Sequence, residues 1–357
     1  MIVASGKGIY KMADSSTSLL VRPLRKTDLD AIVELAYQAG SGMTNLPTVP
    51  SVLRSKIHDS HESFSPTLSD VEKGYYFFAL EDVATQRVVG CSAIAARANV
   101  EHPFYSFKVT NQVLHSKQLN YTQEHKVLYR VNDYQHTSEV CALFVLPEYR
   151  HSHHGKLISR ARFLFMSEYP NRFTHKIIAA LRGHMDENNE SPFWNSFAKN
   201  FLPIDFPHAD KLMGIGQKHF IHDLLPDIPI FSILLDPLGQ ACIGKIQDAT
   251  KPAYRLLRKE GFEYDNYIDI FDGGPILEAY YRNVVSIQKN NRRIVKSISS
   301  STNSKVLYLI SNTELDFRAC QGCVDMLDEN AVSLEKNAAE LLRVKVGDPI
   351  RFISVHL

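Results

Sequence analysis

Glu139-Val-Cys-Ala-Leu-Phe-Val-Leu-Pro-Glu-Tyr-Arg150, then His151-Ser-His-His-Gly155 and an amphipathic stretch from Lys156 to Phe173, is the segment on which the fold turns. A short apolar run rich in β-formers, a break at Pro147, a compact turn ending in Gly155 and a helical period describe a strand feeding the N-terminus of a helix. Free backbone N–H groups and the positive end of the helix dipole converge at such a junction, so it suits a phosphate or pyrophosphate. Taken alone, the segment is equally well an ordinary buried strand joined to an ordinary helix. His151, His153 and His154 invite a metal reading, but no Cys, Asp or Glu in the loop completes a ligand set, and no metal is expected.

Working outward, Leu19 to Arg25 reads as a strand, and Thr27 or Asp28 caps a helix with Leu29, Ile32, Val33, Leu35 and Ala36 on its apolar face. Gly40-Ser-Gly42 stops that helix, and a second helical period runs from about Val49 to Phe64. Tyr75–Leu80 and Arg87–Ile94 read as a hairpin. Residues 103–136 are aromatic and His-rich and are expected to hold extra strands. Beyond the helix at 156–170 come a strand from Lys176 and a short helix with Ser191 as cap and Pro192 at its first position. This order is that of an α/β layered sheet. Lys251-Pro-Ala-Tyr-Arg-Leu-Leu-Arg-Lys-Glu-Gly-Phe262 partly echoes Ser191 to Phe201, which points to a tandem, duplicated arrangement. The expected organisation is a disordered leader over 1–18, an N-terminal domain over 19–205, a second, partly repeated α/β half over 206–285, a Ser/Asn/Lys-rich linker over 286–305 and a small β appendage over 306–357.

The 357 residues hold 40 Lys plus Arg against 39 Asp plus Glu, so no net field draws the chain to nucleic acid or anionic lipid. Five cysteines do not form a disulfide framework, and no run of 18 apolar residues offers a membrane span. A cytoplasmic protein acting on small molecules is the expectation, with homo- or hetero-oligomer left open. Cys320-Gln-Gly-Cys323 is a lone C-x-x-C and reads as two incidental thiols.

Arg150-His-Ser-His-His-Gly155 resembles the acyl-CoA-binding motif of the GNAT acyltransferases, Arg/Gln-x-x-Gly-x-Gly/Ala, with His153 in place of the first glycine. Longer blocks are similar to one family, arginine N-succinyltransferase. These are Leu20-Val-Arg-Pro, Gly42-Met-Thr-Asn-Leu-Pro47, Ser138-Glu-Val-Cys-Ala-Leu-Phe144, Arg182-Gly183, Ser191-Pro-Phe-Trp194, Gly214-Ile-Gly-Gln-Lys218 and Asn266-Tyr-Ile-Asp-Ile-Phe-Asp-Gly-Gly-Pro275. The resemblance implies a GNAT-type layered α/β sheet with a small C-terminal β module. It implies transfer of succinyl from the co-substrate succinyl-CoA to the α-amino group of L-arginine, which opens arginine catabolism by the succinyltransferase route.

On that resemblance Arg150 and Gly155 serve the pyrophosphate, while Leu143 and Val145 serve the pantetheine arm, whose thioester carbonyl the strand N–H groups polarise. Glu139 is the candidate general base for the amine, its alternative being a strand-end charge facing water. Asp186, Asp205 and Asp272 are the candidate ligands for the guanidinium, with Glu187 and Asp269 also available. The family's proton donor is a His whose place is taken here by Gln247, and an amide donates a hydrogen bond but delivers no proton at neutral pH. This departure and His153 keep a second reading open, an acyl-CoA-binding partner subunit. A third keeps the chemistry but takes ornithine or another basic amine.

Overall fold

The computed structural model describes residues 18–98, 100, 103–217 and 219–357, so the leader expected over 1–18 lies, apart from Ser18, outside the described residues. The chain begins with β1 (Leu19–Pro23), α1 (Leu29–Ala39) and α2 (Pro50–Ser63), then runs through β2 (Tyr75–Asp82), β3 (Arg87–Ala95), β4 (Ser106–Ser116), β5 (Tyr121–Val131) and β6 (Ser138–Val145). After α3 (His154–Glu168) come β7 (Lys176–Ala180), α4 (Pro192–Ser196), α5 (Phe206–Gly214), α6 (His219–Leu224), β8 (Ile230–Phe231) and α7 (Pro237–Cys242). The remainder holds α8 (Lys251–Lys259), β9 (Glu263–Asp269), β10 (Pro275–Tyr280), α9 (Val285–Lys289), β11 (Asn291–Ser299), β12 (Leu307–Ser311), β13 (Ala319–Met326), β14 (Ala331–Glu335), α10 (Lys336–Leu342) and β15 (Pro349–Ser354). None of the described helices is long and apolar enough to cross a membrane.

Local chemistry sets several of these boundaries. Gly40, at φ +74°, ends α1 and returns its N–H to the Ala36 carbonyl. Pro50 and Pro192 occupy first turns, where their missing N–H costs nothing, and the Ser191 hydroxyl accepts from the Trp194 N–H at 3.1 Å. Asp28 stands at the start of α1, yet its carboxylate does not cap that helix. It binds the buried Arg22 at 2.7 Å instead. The extra strands expected within 103–136 are β4 and β5, a hairpin paired from Ser106↔Val131 to Ser116↔Tyr121.

The strands join edge to edge in the order β12-β15-β11-β14-β13-β1-β2-β3-β6-β7-β10-β9-β4-β5-β8, and a further β12–β13 pairing closes the first five into a small barrel. The stretch 286–305, expected as a linker, therefore differs from that reading, because it carries most of α9 and the barrel strand β11. Only Val295 of this strand is buried, while Arg292, Ile294, Lys296 and Ile298 face outward, and the polar composition masked a strand with a single core residue. The Pro-led helices that echo one another in sequence pack in different cores. Phe193 and Trp194 of α4 sit with Phe107, Phe206 and Phe271, whereas Leu257 of α8 joins the core around Phe77, Leu164 and Phe165.

Two features of the sheet prepare a site. Ala142 of β6 has φ +50°, and the register against β3 slips there, so Cys91↔Phe144 is followed by Ala93↔Cys141. This is a β-bulge. On its other edge β6 runs parallel to β7 for only two residue pairs, Ser138↔Ile177 and Glu139↔Ile178, after which the strands part. Leu146 N–H donates to Val89 on β3. Strand alternation then aims the backbone N–H of Phe144 at β3 and those of Leu143 and Val145 at the gap.

The base of α3 is tied by a buried ion pair. Arg160 Nε donates to Glu260 Oε1 at 2.6 Å, Glu260 Oε2 accepts from Ser286 N–H at 2.8 Å, and Arg160 reaches the carbonyls of Ser354 and Leu357. Glu260→Ala strands the buried guanidinium and should cost about 3–5 kcal/mol, read as a lowered urea midpoint. An unchanged midpoint would show that water replaces the carboxylate.

Candidate active site

The parted strands open into a cavity of about 680 Å³. Its walls come from the α1–α2 loop, β6, the turn before α3, the end of β7, α5, the start of α8 and the Asp269–Asp272 turn. Each end carries a different charge.

At one end lies the turn into α3. His153 takes the cap position of that helix in the left-handed region, at φ +67° and ψ +14°, directly after Ser152 at φ +47°. Glycine meets this geometry without strain, and among other residues His is one of those that tolerate it. The His153 ring stands edge-on to that of His356, 5.5 Å away, and Gln321 Nε2 donates to the Ser152 carbonyl at 3.1 Å. No side chain caps α3, so the first-turn N–H groups of Gly155 and Lys156 keep their donor capacity. Arg150 borders the same end, held by its Nε donating to the Val145 carbonyl at 2.8 Å and by its guanidinium lying 5.3 Å from the centre of the Phe144 ring. Arg150, Leu143, Val145 and Gly155, all expected around the acyl-CoA, line this one cavity.

The opposite end is acidic. Glu139 is 6% exposed and so does not face bulk water, and its Oε1 accepts from Asn45 Nδ2 at 3.0 Å. Asp272 is buried, with one carboxylate oxygen accepting from Gly183 N–H at 2.7 Å and the other from Gly274 N–H at 2.8 Å. A Cβ at Gly183 would fall 2.3 Å from the Asp272 carbonyl oxygen, which is why glycine follows Arg182. Asp269 accepts from Phe271 N–H at 2.7 Å, and Asp210 from Gly42 N–H at 2.9 Å. Burial, then the adjacent Asp269 carboxylate, push the Asp272 carboxyl well above the usual carboxylate range; burial also raises Asp269 and Asp210. Arg182 lies among these groups, with Nη2 bound to the Ala39 carbonyl at 3.0 Å and a buried Nε that has no acceptor. Gly42, at φ +82°, lets the loop pass over Arg182, since a Cβ there would lie 3.0 Å from Nε.

The expected site residues thus separate. Glu139, Leu143, Val145, Arg150, Gly155 and Asp272 line the cavity. Asp186 and Asp205 do not. Asp186 is exposed and closes its own turn by accepting from Asn188 and Glu190 N–H, and Asp205 caps α5 by accepting from His208 N–H. Short carboxylates next to free backbone N–H groups satisfy those first, and both of these expected guanidinium ligands lie outside the cavity lining. Asp210 was not foreseen, because it lies on α5 with no motif around it. Gln247 lies outside the cavity lining and accepts from Met185 N–H at 3.0 Å through Oε1. Among the described residues no cluster of His, Cys, Asp and Glu is placed to hold a metal.

A family profile described as arginine N-succinyltransferase beta subunit matches residues 19–286, and one for its C-terminal domain matches residues 291–354. The chain belongs to the arginine N-succinyltransferase family. An arginine N-succinyltransferase of Enterobacter sp. (strain 638) is 37% identical over 336 residues, 94% of this chain and 97% of the relative. One from Yersinia pseudotuberculosis serotype O:3 (strain YPIII) is 38% identical over 343 residues, with the same coverage. The solved structure of arginine/ornithine succinyltransferase subunit AI from Pseudomonas aeruginosa superposes with a TM-score of 0.86 at 35% identity, covering 95% of this chain and 99% of that one. The second profile begins at the first residue of β11, so the family's C-terminal domain takes in the strand that composition alone assigned to a linker.

The turn before α3 allows a clean electrostatic test. A Cβ at Gly155 meets nothing within 4 Å, so a side chain there adds charge without a clash. Gly155→Asp should weaken coenzyme A binding about tenfold by calorimetry, the scale of a charge at a partly buried helix terminus, while Gly155→Ala stays near wild type. Equal affinities for the two variants would place the phosphates elsewhere.

Proposed function

We propose that this chain transfers succinyl from succinyl-CoA to the α-amino group of L-arginine, on a layered α/β sheet of GNAT type. The observation that carries the reading is one cavity with an anion-binding end and an acidic end, joined by the gap between β6 and β7. Such a cavity matches the charges of two substrates at once, a polyanionic thioester and a cationic amino acid.

The pyrophosphate rests on the Gly155 and Lys156 N–H groups, with Arg150 beside it. The pantetheine arm then lies in the gap as an added strand would, against the N–H groups of Leu143 and Val145 and the Leu143 carbonyl, the Val145 carbonyl being held by Arg150. A thioester carbonyl reaching the bulge meets a backbone N–H aimed out of the sheet, which stabilises the oxyanion as the amine attacks. Asp210, Asp269 and Asp272 supply the charge that a guanidinium needs, and a cation among them offsets the burial and the Asp269 repulsion that together keep Asp272 protonated.

An α-amino group has a pKa of roughly 8, so at neutral pH most of it is protonated and needs a base. Glu139 is the carboxylate beside the gap, and the Asn45 amide holds its orientation. The ammonium first gives one proton to Glu139 directly or through water; the freed nitrogen then bonds to the thioester carbon, the carbon–sulfur bond breaks, and the second amine proton leaves to water as the amide forms. The departing thiol has an ordinary pKa of about 8.5, so it leaves as a stable thiolate without a dedicated acid. Gln247 in place of a histidine is compatible with turnover on that ground.

A second reading is favoured by His153, which holds a left-handed conformation at the cost of strain, and by Gln247, which is engaged with Met185. It makes the chain a partner subunit that binds acyl-CoA without turning it over. The decisive assay follows release of free coenzyme A from succinyl-CoA with and without L-arginine. Arginine-dependent release is expected, with ornithine as the comparison amine. Saturable succinyl-CoA binding with no release in either case would leave only the binding subunit.

A further inference from the structure

Three basic side chains lie along the inner length of α3, and two are accounted for. Lys156 Nζ donates to the Val355 carbonyl at 3.0 Å, and Arg160 is paired with Glu260. Arg162 has no such partner. It is 1% exposed and borders the cavity beside Cys141. Its Nε and Nη2 donate only within its own turn, to the Ser159 carbonyl at 3.1 Å and the Ser159 hydroxyl at 3.0 Å. Among the described residues no carboxylate lies within ion-pair distance of it. The nearest that influences it, Glu260, is taken by Arg160 and Ser286.

Burial lowers the guanidinium pKa to about 10, which still leaves it charged at neutral pH. The Cys141 thiol is no counter-charge, because burial, with Glu139 nearby, pushes its pKa far up and keeps it neutral. A buried cation without an anion is costly, and it is retained where the anion arrives with a ligand. Arg182, the other buried arginine of the cavity, is already flanked by Asp210 and Asp272.

Position separates the two kinds of anion a succinyl thioester carries. The phosphates belong at the start of α3, and Arg162 lies eight residues further on, about 12 Å along the axis. It stands next to Cys141, the residue just inward of the bulge at Ala142, where an acyl chain continues past the thioester. We propose that Arg162 binds the distal carboxylate of a dicarboxylic acyl thioester and so makes the site selective for such acyl groups. The inference rests on the acyl-CoA reading above.

Butyryl-CoA is the decisive probe, because it has the length of succinyl-CoA with a methyl group in place of the carboxylate. Calorimetric titration of the full-length protein should show succinyl-CoA binding on the order of 100-fold more tightly than butyryl-CoA, the scale of one desolvated charge pair. Arg162→Met should erase that preference by weakening succinyl-CoA alone, with butyryl-CoA unchanged within about threefold; Arg162→Lys, which keeps the charge, should retain part of it. Equal wild-type affinities for the two thioesters would overturn the proposal without any variant. So would a Met variant that loses both ligands equally or keeps the full preference. If neither thioester binds the wild type, the acyl-CoA reading itself fails; binding without discrimination defeats only the role of Arg162.

Discussion

The β-bulge at Ala142 is the constraint on which the rest of the site depends. A parallel pair of strands would ordinarily exchange hydrogen bonds along its whole length, and β6 and β7 stop after two residue pairs. Backbone donors and acceptors left over in a buried strand must find other partners. On the β3 side the ladder absorbs the bulge, with Cys91 Sγ reaching the Ala142 carbonyl at 3.3 Å. On the β7 side Leu143 and Val145 lie beyond the last pair with that strand, and the Val145 carbonyl accepts from Arg150 Nε at 2.8 Å. In the proposed function this unmade strand pairing is the surface that receives an extended chain, the same physics by which a sheet edge captures a peptide strand.

The gap persists because the sheet is well held on both sides. β2, β3 and the apolar side of α3 form one core around Phe77, Leu164 and Phe165, while Phe107, Trp194 and Phe271 form a second beneath the β4–β5 hairpin. Trp194 stacks on Phe271 with an interplanar angle of 10° and donates Nε1–H to the Ile204 carbonyl at 3.2 Å, which steadies the turn carrying Asp269 and Asp272. The barrel contributes through β1, which pairs with β13, and through Arg160 and Lys156, whose contacts with the carbonyls of Ser354, Val355 and Leu357 reach back to the first turns of α3. Separate packing units therefore converge on the turn into α3.

The strand-to-helix junction at 139–168 was legible in sequence because the hydrophobic period changes there from two to 3.6 and the break is marked by Pro147 and Gly155. Leu143, Val145, Arg150 and Gly155 were named through the resemblance that this segment bears to the GNAT motif and to the succinyltransferase family, and the fold brings all four to one cavity. The acidic end was legible only in part. A sequence places Asp186, Asp205, Asp269 and Asp272 on loops but does not say where each carboxylate turns, and the first two are consumed by their own N–H neighbours. Asp210 and Arg162 carry no local signal, since each is one polar residue on a helix and matters only through what the fold sets opposite it. β11 was missed for the opposite reason: its outward face mixes Arg292 and Lys296 with Ile294 and Ile298 and its inward face holds one buried apolar residue, Val295, so no alternation shows in composition.

Hydrogen exchange across β6, with and without succinyl-CoA, tests the central claim most directly. Amides facing an open gap exchange through small local openings, and a thioester arm lying in that gap should slow them. The account predicts that saturating succinyl-CoA protects Leu143 and Val145 strongly, together with Gly155 and Lys156 at the start of α3. Binding that protects the α3 turn but leaves Leu143 and Val145 exchanging as in the free protein would contradict it.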